Sequence, residues 1–262
     1  MNARGLMIAQ QTEIRTSDGI SDGFIYSPRE SSRVPGIIFL TDIAGIRPSQ
    51  CEMAQRLAGE GYTVLLPNIF YRVGSPPLME FPLNFGEKRT MQRIQELSGS
   101  LTPEAAERDA SAYVEYLSAQ GSVVAGPIGA VGYCFSGALV MRLASARPDR
   151  IAAVASFHGG RLFTDASTSP HLLLPRIKAR LYFGHAVQDQ TMPQEAIENL
   201  NRALQAWGGR YESEVYEGAY HGWTVTDSPA YNHHQAERAF EKLKELFGRA
   251  LLTSARASSL PR

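Results

Sequence analysis

Short apolar runs recur along the chain, at Gly36–Leu40, Tyr62–Leu66, Ile128–Gly132, Ile151–Phe157, Ala179–Phe183 and Tyr211–Tyr216. Most lack the alternation of a strand with one wet face, so they read as strands covered on both sides, which belong to parallel sheets. Helical spacing fills the segments between them. Thr102-Pro103 supplies an N-cap and a proline start, after which Ala106, Ala110, Tyr113, Val114 and Leu117 share one face. Pro193 to Trp207 reads as a further helix. Ser228-Pro229 reads as the start of another, with Ala236, Phe240, Leu243 and Phe247 turned inward. Such alternation predicts an α/β fold, a mostly parallel sheet with helices on both faces. Thr12–Thr16 and Phe24–Ser27 are more polar and predict an antiparallel N-terminal edge.

Two stretches stand outside that alternation. Residues 68–101 carry Phe70, Tyr71, Phe81 and Phe85 and are expected to form an insertion that covers a pocket. Residues 253–262 are small and polar and read as a flexible tail, leaving 1–252 as a single domain. Lys plus Arg and Asp plus Glu balance at 26 each. There is no basic excess to attract nucleic acid or an anionic membrane, and a small-molecule partner is expected, with the chain a monomer or homodimer. Cys51 and Cys134 are the two cysteines. They do not make a disulfide framework, and the Leu6–Ala9 stretch is too short for a signal-peptide core, so a cytoplasmic enzyme is expected.

The chemistry-bearing feature is Gly132-Tyr133-Cys134-Phe135-Ser136-Gly137, where an apolar strand turns directly into an apolar helix. A nucleophile elbow needs small residues two before and two after the nucleophile, and Gly132 and Ser136 stand there. The helix N-terminus behind it favours a thiolate and a developing oxyanion. Gly126, Gly129 and Gly132 recur every third residue and do not make a dinucleotide fingerprint, and no metal site is expected.

A nucleophile needs a base, and the base an orienting acid. Asp189 lies on the loop after the strand ending at Phe183, and His221 on the loop after the strand ending at Tyr216. Cys134, Asp189, His221 is the chain order this topology requires. The other histidines fit worse. His185 precedes Asp189, His171 precedes the needed strand, His233 and His234 fall in a helix, and His158 ends a strand where it can line the pocket. A redox-active thiol is the alternative for Cys134, but Cys51 sits in the helix after Pro48 with no reason to approach it. A binding module on an inactive scaffold is the other, and an intact triad argues against it.

From Thr12 to Phe247 the sequence resembles the dienelactone hydrolase family of α/β-hydrolases, the carboxymethylenebutenolidase-like enzymes. The resemblance rests on the cysteine elbow, Asp189 with Pro193, His221-Gly222-Trp223, Phe39 to Ile46, and Leu66 to Arg72. It implies the α/β-hydrolase fold and hydrolysis of a lactone or ester without a cofactor, by Cys134 attack, His221 proton relay and Asp189 support. It further implies an oxyanion hole from the backbone N–H groups of Phe135 and Ile43, each donor worth roughly 3–4 kcal/mol in the transition state. Relatives on this scaffold also accept thioesters or phosphate triesters. Asp42 stands where the family has an activating glutamate, and either serves that role or caps its loop. Arg72 matches one of two arginines that clamp a substrate carboxylate. Val225 occupies the other's place, the aromatic 68–101 insertion suggests a less charged substrate, and Trp223 is a further candidate substrate contact.

Overall fold

In the computed structural model, residues 7–28, 33–81 and 83–252 are described. Among these residues eight strands form one sheet: β1 (Met7–Thr16), β2 (Gly19–Pro28), β3 (Gly36–Leu40), β4 (Thr63–Pro67), β5 (Ile128–Tyr133), β6 (Ile151–Phe157), β7 (Arg180–His185) and β8 (Tyr211–Val215). Their spatial order is β1-β2-β4-β3-β5-β6-β7-β8. β1 and β2 pair antiparallel and β2 joins β4 antiparallel, while β4 through β8 run parallel. The expected sheet and its antiparallel edge are both present. The edge hairpin is longer than the polar segments alone suggested, because β1 begins at Met7.

Among the described residues six α-helices lie between and after the strands: α1 (Pro48–Ala58), α2 (Lys88–Gly99), α3 (Pro103–Ser118), α4 (Ser136–Ala146), α5 (Gln194–Trp207) and α6 (His233–Phe247). All residues of β3, β4 and β5 are buried, which is why their sequences carry no alternation. Successive side chains serve opposite layers. Ile38, Leu65 and Leu181 pack in one core with Val114 of α3, Val140 of α4 and Leu200 of α5. Ile37, Val64 and Val131 pack in the other with Ala54 and Leu57 of α1 and Leu243 and Phe247 of α6.

Two boundaries differ from expectation. The last long helix starts at His233, capped by the Asn232 side chain, rather than at Pro229. Ser228 instead makes a turn, its Oγ accepting the Ala230 N–H and its carbonyl the Tyr231 N–H. The 68–101 segment contains α2, whose buried residues are only Thr90 and Leu97 and which therefore shows little apolar pattern. The expected tail at 253–262 lies outside the described residues.

The chain runs from β3 to β4 on one side and then to β5 on the other side of β3. Such a switch leaves a crevice beyond the C-terminal ends of β3 and β5, where ligands of open α/β sheets bind. Both the Ile43 loop and Cys134 follow those ends.

Candidate active site

β5 ends at Tyr133 and α4 begins at Ser136, so the chain reverses within two residues. Cys134 has φ 54, a conformation that non-glycine residues rarely adopt. Close packing holds it there. A Cβ at position 132 would stand 2.4 Å from the Ser136 carbonyl oxygen, and one at 137 would stand 2.6 Å from the Gly159 Cα. The elbow is tied to β3 by Ser136, whose Oγ accepts the Tyr133 N–H at 2.9 Å and donates to the Leu40 carbonyl at 2.9 Å. The Cys134 carbonyl accepts the N–H groups of Gly137 (3.1 Å) and Gly160 (3.2 Å). Its side chain remains partly exposed.

The structure brings Cys134, Asp189 and His221 together. His221 Nδ1 donates to Asp189 Oδ2 at 2.6 Å, which leaves the other ring nitrogen for the Cys134 side chain, a group close enough to act with Asp189 on the ring's pKa. Asp189 is buried, and its second oxygen accepts the Thr191 N–H (2.8 Å) and hydroxyl (2.7 Å). Burial would raise the Asp189 pKa, but the His221 and Thr191 bonds outweigh it and hold the carboxyl below its ordinary value. Burial likewise disfavours a charged His221 ring. The bond to Asp189 and the nearby Cys134 prevail and push its pKa up to about 10. The imidazole is therefore cationic at neutral pH, beside the sulfur.

Phe135 follows Cys134 at the head of α4 with helical φ and ψ. Ile43 sits in a tight turn set by Asp42, whose Oδ1 accepts the Ala44 N–H and whose carbonyl accepts the Gly45 N–H. Among the described residues no acceptor engages the N–H of Ile43 or Phe135. Both remain available to a ligand.

Three other candidates stand apart from this cluster. Asp42 receives two bonds from Arg47 (2.7 and 2.8 Å) and one from Gln50 (3.1 Å), so its carboxylate caps and braces the loop. Arg72 does not present a free guanidinium. All three of its nitrogens donate to Asp18 or Asp109, at 2.7–3.1 Å. Trp223 is 0% exposed and has no surface for a substrate; it stacks on Tyr216 and meets the His158 ring edge-on. Arg72 is thus claimed by acids remote in sequence and Trp223 by the core, and of the two roles open to Asp42 its contacts are those of a loop cap.

His158 is the residue whose place sequence reasoning underestimated. Its ring is 1% exposed, accepts the Cys134 N–H at 3.1 Å through Nδ1, and contacts Thr224 Oγ1 at 2.8 Å through Nε2. The signal was available in the topology. β5 and β6 pair in parallel with Tyr133 opposite Phe157, so the next residues, Cys134 and His158, emerge side by side. His185 by contrast is buried at the end of β7 against Ser213, outside the cluster. Among the described residues no group of His, Cys, Asp or Glu side chains is arranged to hold a metal, and no helix is long and apolar enough to cross a membrane.

Comparison with known proteins gives a consistent picture. The Dienelactone hydrolase family profile matches residues 21–251. The "Putative carboxymethylenebutenolidase" of Synechocystis sp. is 25% identical over 231 residues, covering 86% of this chain and 90% of its own. Among solved structures, a "Putative Dienelactone Hydrolase" of Klebsiella pneumoniae superposes with a TM-score of 0.83 at 20% identity, over 93% of this chain and 99% of its own. A dienelactone hydrolase-like promiscuous phosphotriesterase from metagenomic libraries superposes with a TM-score of 0.78 at 21% identity, over 94% and 100%.

Proposed function

The chain belongs to the dienelactone hydrolase family, and from that premise we propose that it cleaves a small lactone or carboxylic ester through Cys134, His221 and Asp189. One observation carries this reading: a cysteine raised on a left-handed corner, beside an imidazole that is bonded to a buried carboxylate. The Cys134 thiolate attacks the carbonyl carbon, and the carbonyl electron pair moves to oxygen, where the Ile43 and Phe135 N–H groups receive it. Collapse of that intermediate breaks the C–O bond. The departing alkoxide takes the His221 proton, leaving a thioester on Cys134. The neutral ring then removes a proton from water as the water oxygen attacks the thioester. Collapse breaks the C–S bond, releases the carboxylic acid and frees the Cys134 sulfur, with the proton taken from water on His221. Asp189 keeps the ring in the orientation and tautomer that both halves require.

A substrate without a strongly anionic acyl group fits best, because Arg72 is occupied and Val225 is buried and apolar. The 68–101 segment serves as the cover: Phe70 lies 5.8 Å, centroid to centroid, from Phe135, and the Leu78 side chain crowds Gly45. The test is acid quenching during turnover of p-nitrophenyl butyrate, followed by peptide mass measurement. The butyryl mass is expected on the Cys134 peptide. An acyl group found only elsewhere, or turnover with none, would overturn the thioester route.

The pH profile follows from the shifts. An ordinary histidine titrates near 6.5, whereas His221 in the folded chain titrates near 10. Its bonds therefore stabilise the fold fully below about 6.5, and that contribution is lost as pH rises through about 10. Acylation needs the imidazolium as acid, so kcat/KM is expected to hold across the neutral range and fall as pH approaches 10. Asp189→Asn removes the carboxylate that raises the ring pKa and should bring this alkaline fall toward neutrality. An alkaline limb that Asp189→Asn leaves in place would refute the assignment.

A further inference from the structure

We propose that His158 is a positioning residue that spans the elbow and the histidine loop and sets the separation of the Cys134 sulfur from the His221 ring. The inference rests on the thiol mechanism above and adds a residue which that mechanism does not use.

His158 sits between the two pieces that must meet. On one side its Nδ1 accepts the Cys134 N–H at 3.1 Å, a group that also donates to the Phe157 carbonyl at 3.1 Å. On the other its Nε2 meets Thr224 Oγ1 at 2.8 Å, on the loop that carries His221. Because a backbone N–H can only donate, Nδ1 must be unprotonated. The proton of the neutral ring is then on Nε2, donated to Thr224. Burial, followed by the nearby His221 charge, holds the ring well below the usual imidazole range and keeps it in that neutral form.

The ring itself is wedged. It meets His221 edge-on at 5.1 Å and Trp223 edge-on at 5.0 Å, centroid to centroid. Its backbone N–H is fixed to the Gly184 carbonyl of β7 at 2.7 Å, and its φ is 39. A left-handed, buried residue that spends both ring nitrogens on two different loops is poorly explained as core filler. Few other side chains offer an acceptor and a donor on opposite sides of a rigid plane. Asparagine can place an oxygen near the Nδ1 position and tolerates the left-handed backbone, but cannot reach Thr224. Glutamine can reach Thr224 but leaves the Cys134 N–H with the strand carbonyl alone.

The test uses the full-length protein with His158→Asn, His158→Gln, His158→Ala and Thr224→Val, and two readouts. The first is alkylation of Cys134 by iodoacetamide at neutral pH without substrate, scored on the Cys134 peptide so that Cys51 does not contribute. The second is kcat and KM for p-nitrophenyl butyrate, normalised to folded protein. His158→Ala and His158→Gln are expected to slow alkylation and lower kcat by about 10- to 100-fold, as a misplaced reacting group does, with KM little changed. His158→Asn should recover much of the alkylation rate by restoring the Cys134 acceptor. Thr224→Val, which leaves His158 in place, should slow alkylation several-fold, and it decides the matter if the His158 variants do not fold. Unchanged alkylation in folded variants, or an asparagine variant no better than alanine, would overturn the proposal. A Cys134→Ala protein that still hydrolyses the ester would instead overturn the mechanism, and the alkylation readout would still judge His158 on its own.

Discussion

Cys134→Ala is expected to lose roughly 10⁴- to 10⁶-fold in kcat toward p-nitrophenyl acetate or butyrate while remaining folded, the size of effect seen when a catalytic nucleophile is removed. Alanine fits the corner, since Cys134 already holds φ 54 with a Cβ in place, so the loss should be chemical and not conformational. His221→Ala should fall by a similar factor. With no imidazole beside it the sulfur has lost its partner in charge and the leaving group its proton donor. Residues that act as one unit are not additive, so the double variant should be no slower than the worse single one. Residual turnover would come from the Ile43 and Phe135 N–H groups and from binding alone. Ester hydrolysis at equal rates in all these proteins would remove the basis for a hydrolytic thiol. Rapid peroxide reduction that disappears with Cys134 would instead assign the sulfur to redox chemistry.

Arg72→Ala is expected to destabilise the fold by about 3–5 kcal/mol, because it leaves the Asp109 carboxylate buried without its counter-charge. The Asp109 side chain is 3% exposed, and Arg72 binds both of its oxygens at 2.8 Å. The same guanidinium holds Asp18 on the turn between β1 and β2, so three parts of the chain loosen together. For a chain of this length the loss corresponds to a fall in Tm on the order of 10 °C. Adding Asp109→Asn should restore part of it, since the uncompensated charge is then gone. Turnover of an uncharged ester per folded molecule should be little altered. A small change in Tm with a raised KM for anionic esters alone would return Arg72 to the substrate.

The elbow was legible because its signal is local. Gly132, Cys134 and Ser136 are close in the chain, and the tight turn dictates their sizes whatever surrounds them. Asp189 and His221 were legible for a different reason: parallel-sheet topology fixes the order in which strand ends deliver their loops. Roles that depend on who arrives from elsewhere were hidden. Arg72 finds Asp18 and Asp109, 54 and 37 residues away, and nothing around Arg72 announces them. Asp42 reads equally as an activating acid or a loop cap until Arg47 and Gln50 are seen on it. The start of α6 was misplaced because Ser228 and Asn232 both suit a cap, and the turn that ties Asn232 N–H to the Trp223 carbonyl selects the second.

The site is assembled from the ends of β3, β5, β6, β7 and β8, and its parts appear in chain order from Ile43 to His221. On the proposed mechanism, a nascent chain thus makes its nucleophile long before its base. With residues up to Asp189 emerged from the ribosome, the thiol and the acid already exist but the imidazole between them does not. On the proposed mechanism a chain that stops before His221 has the sulfur but no base for it, and β8 is the strand whose docking completes the site.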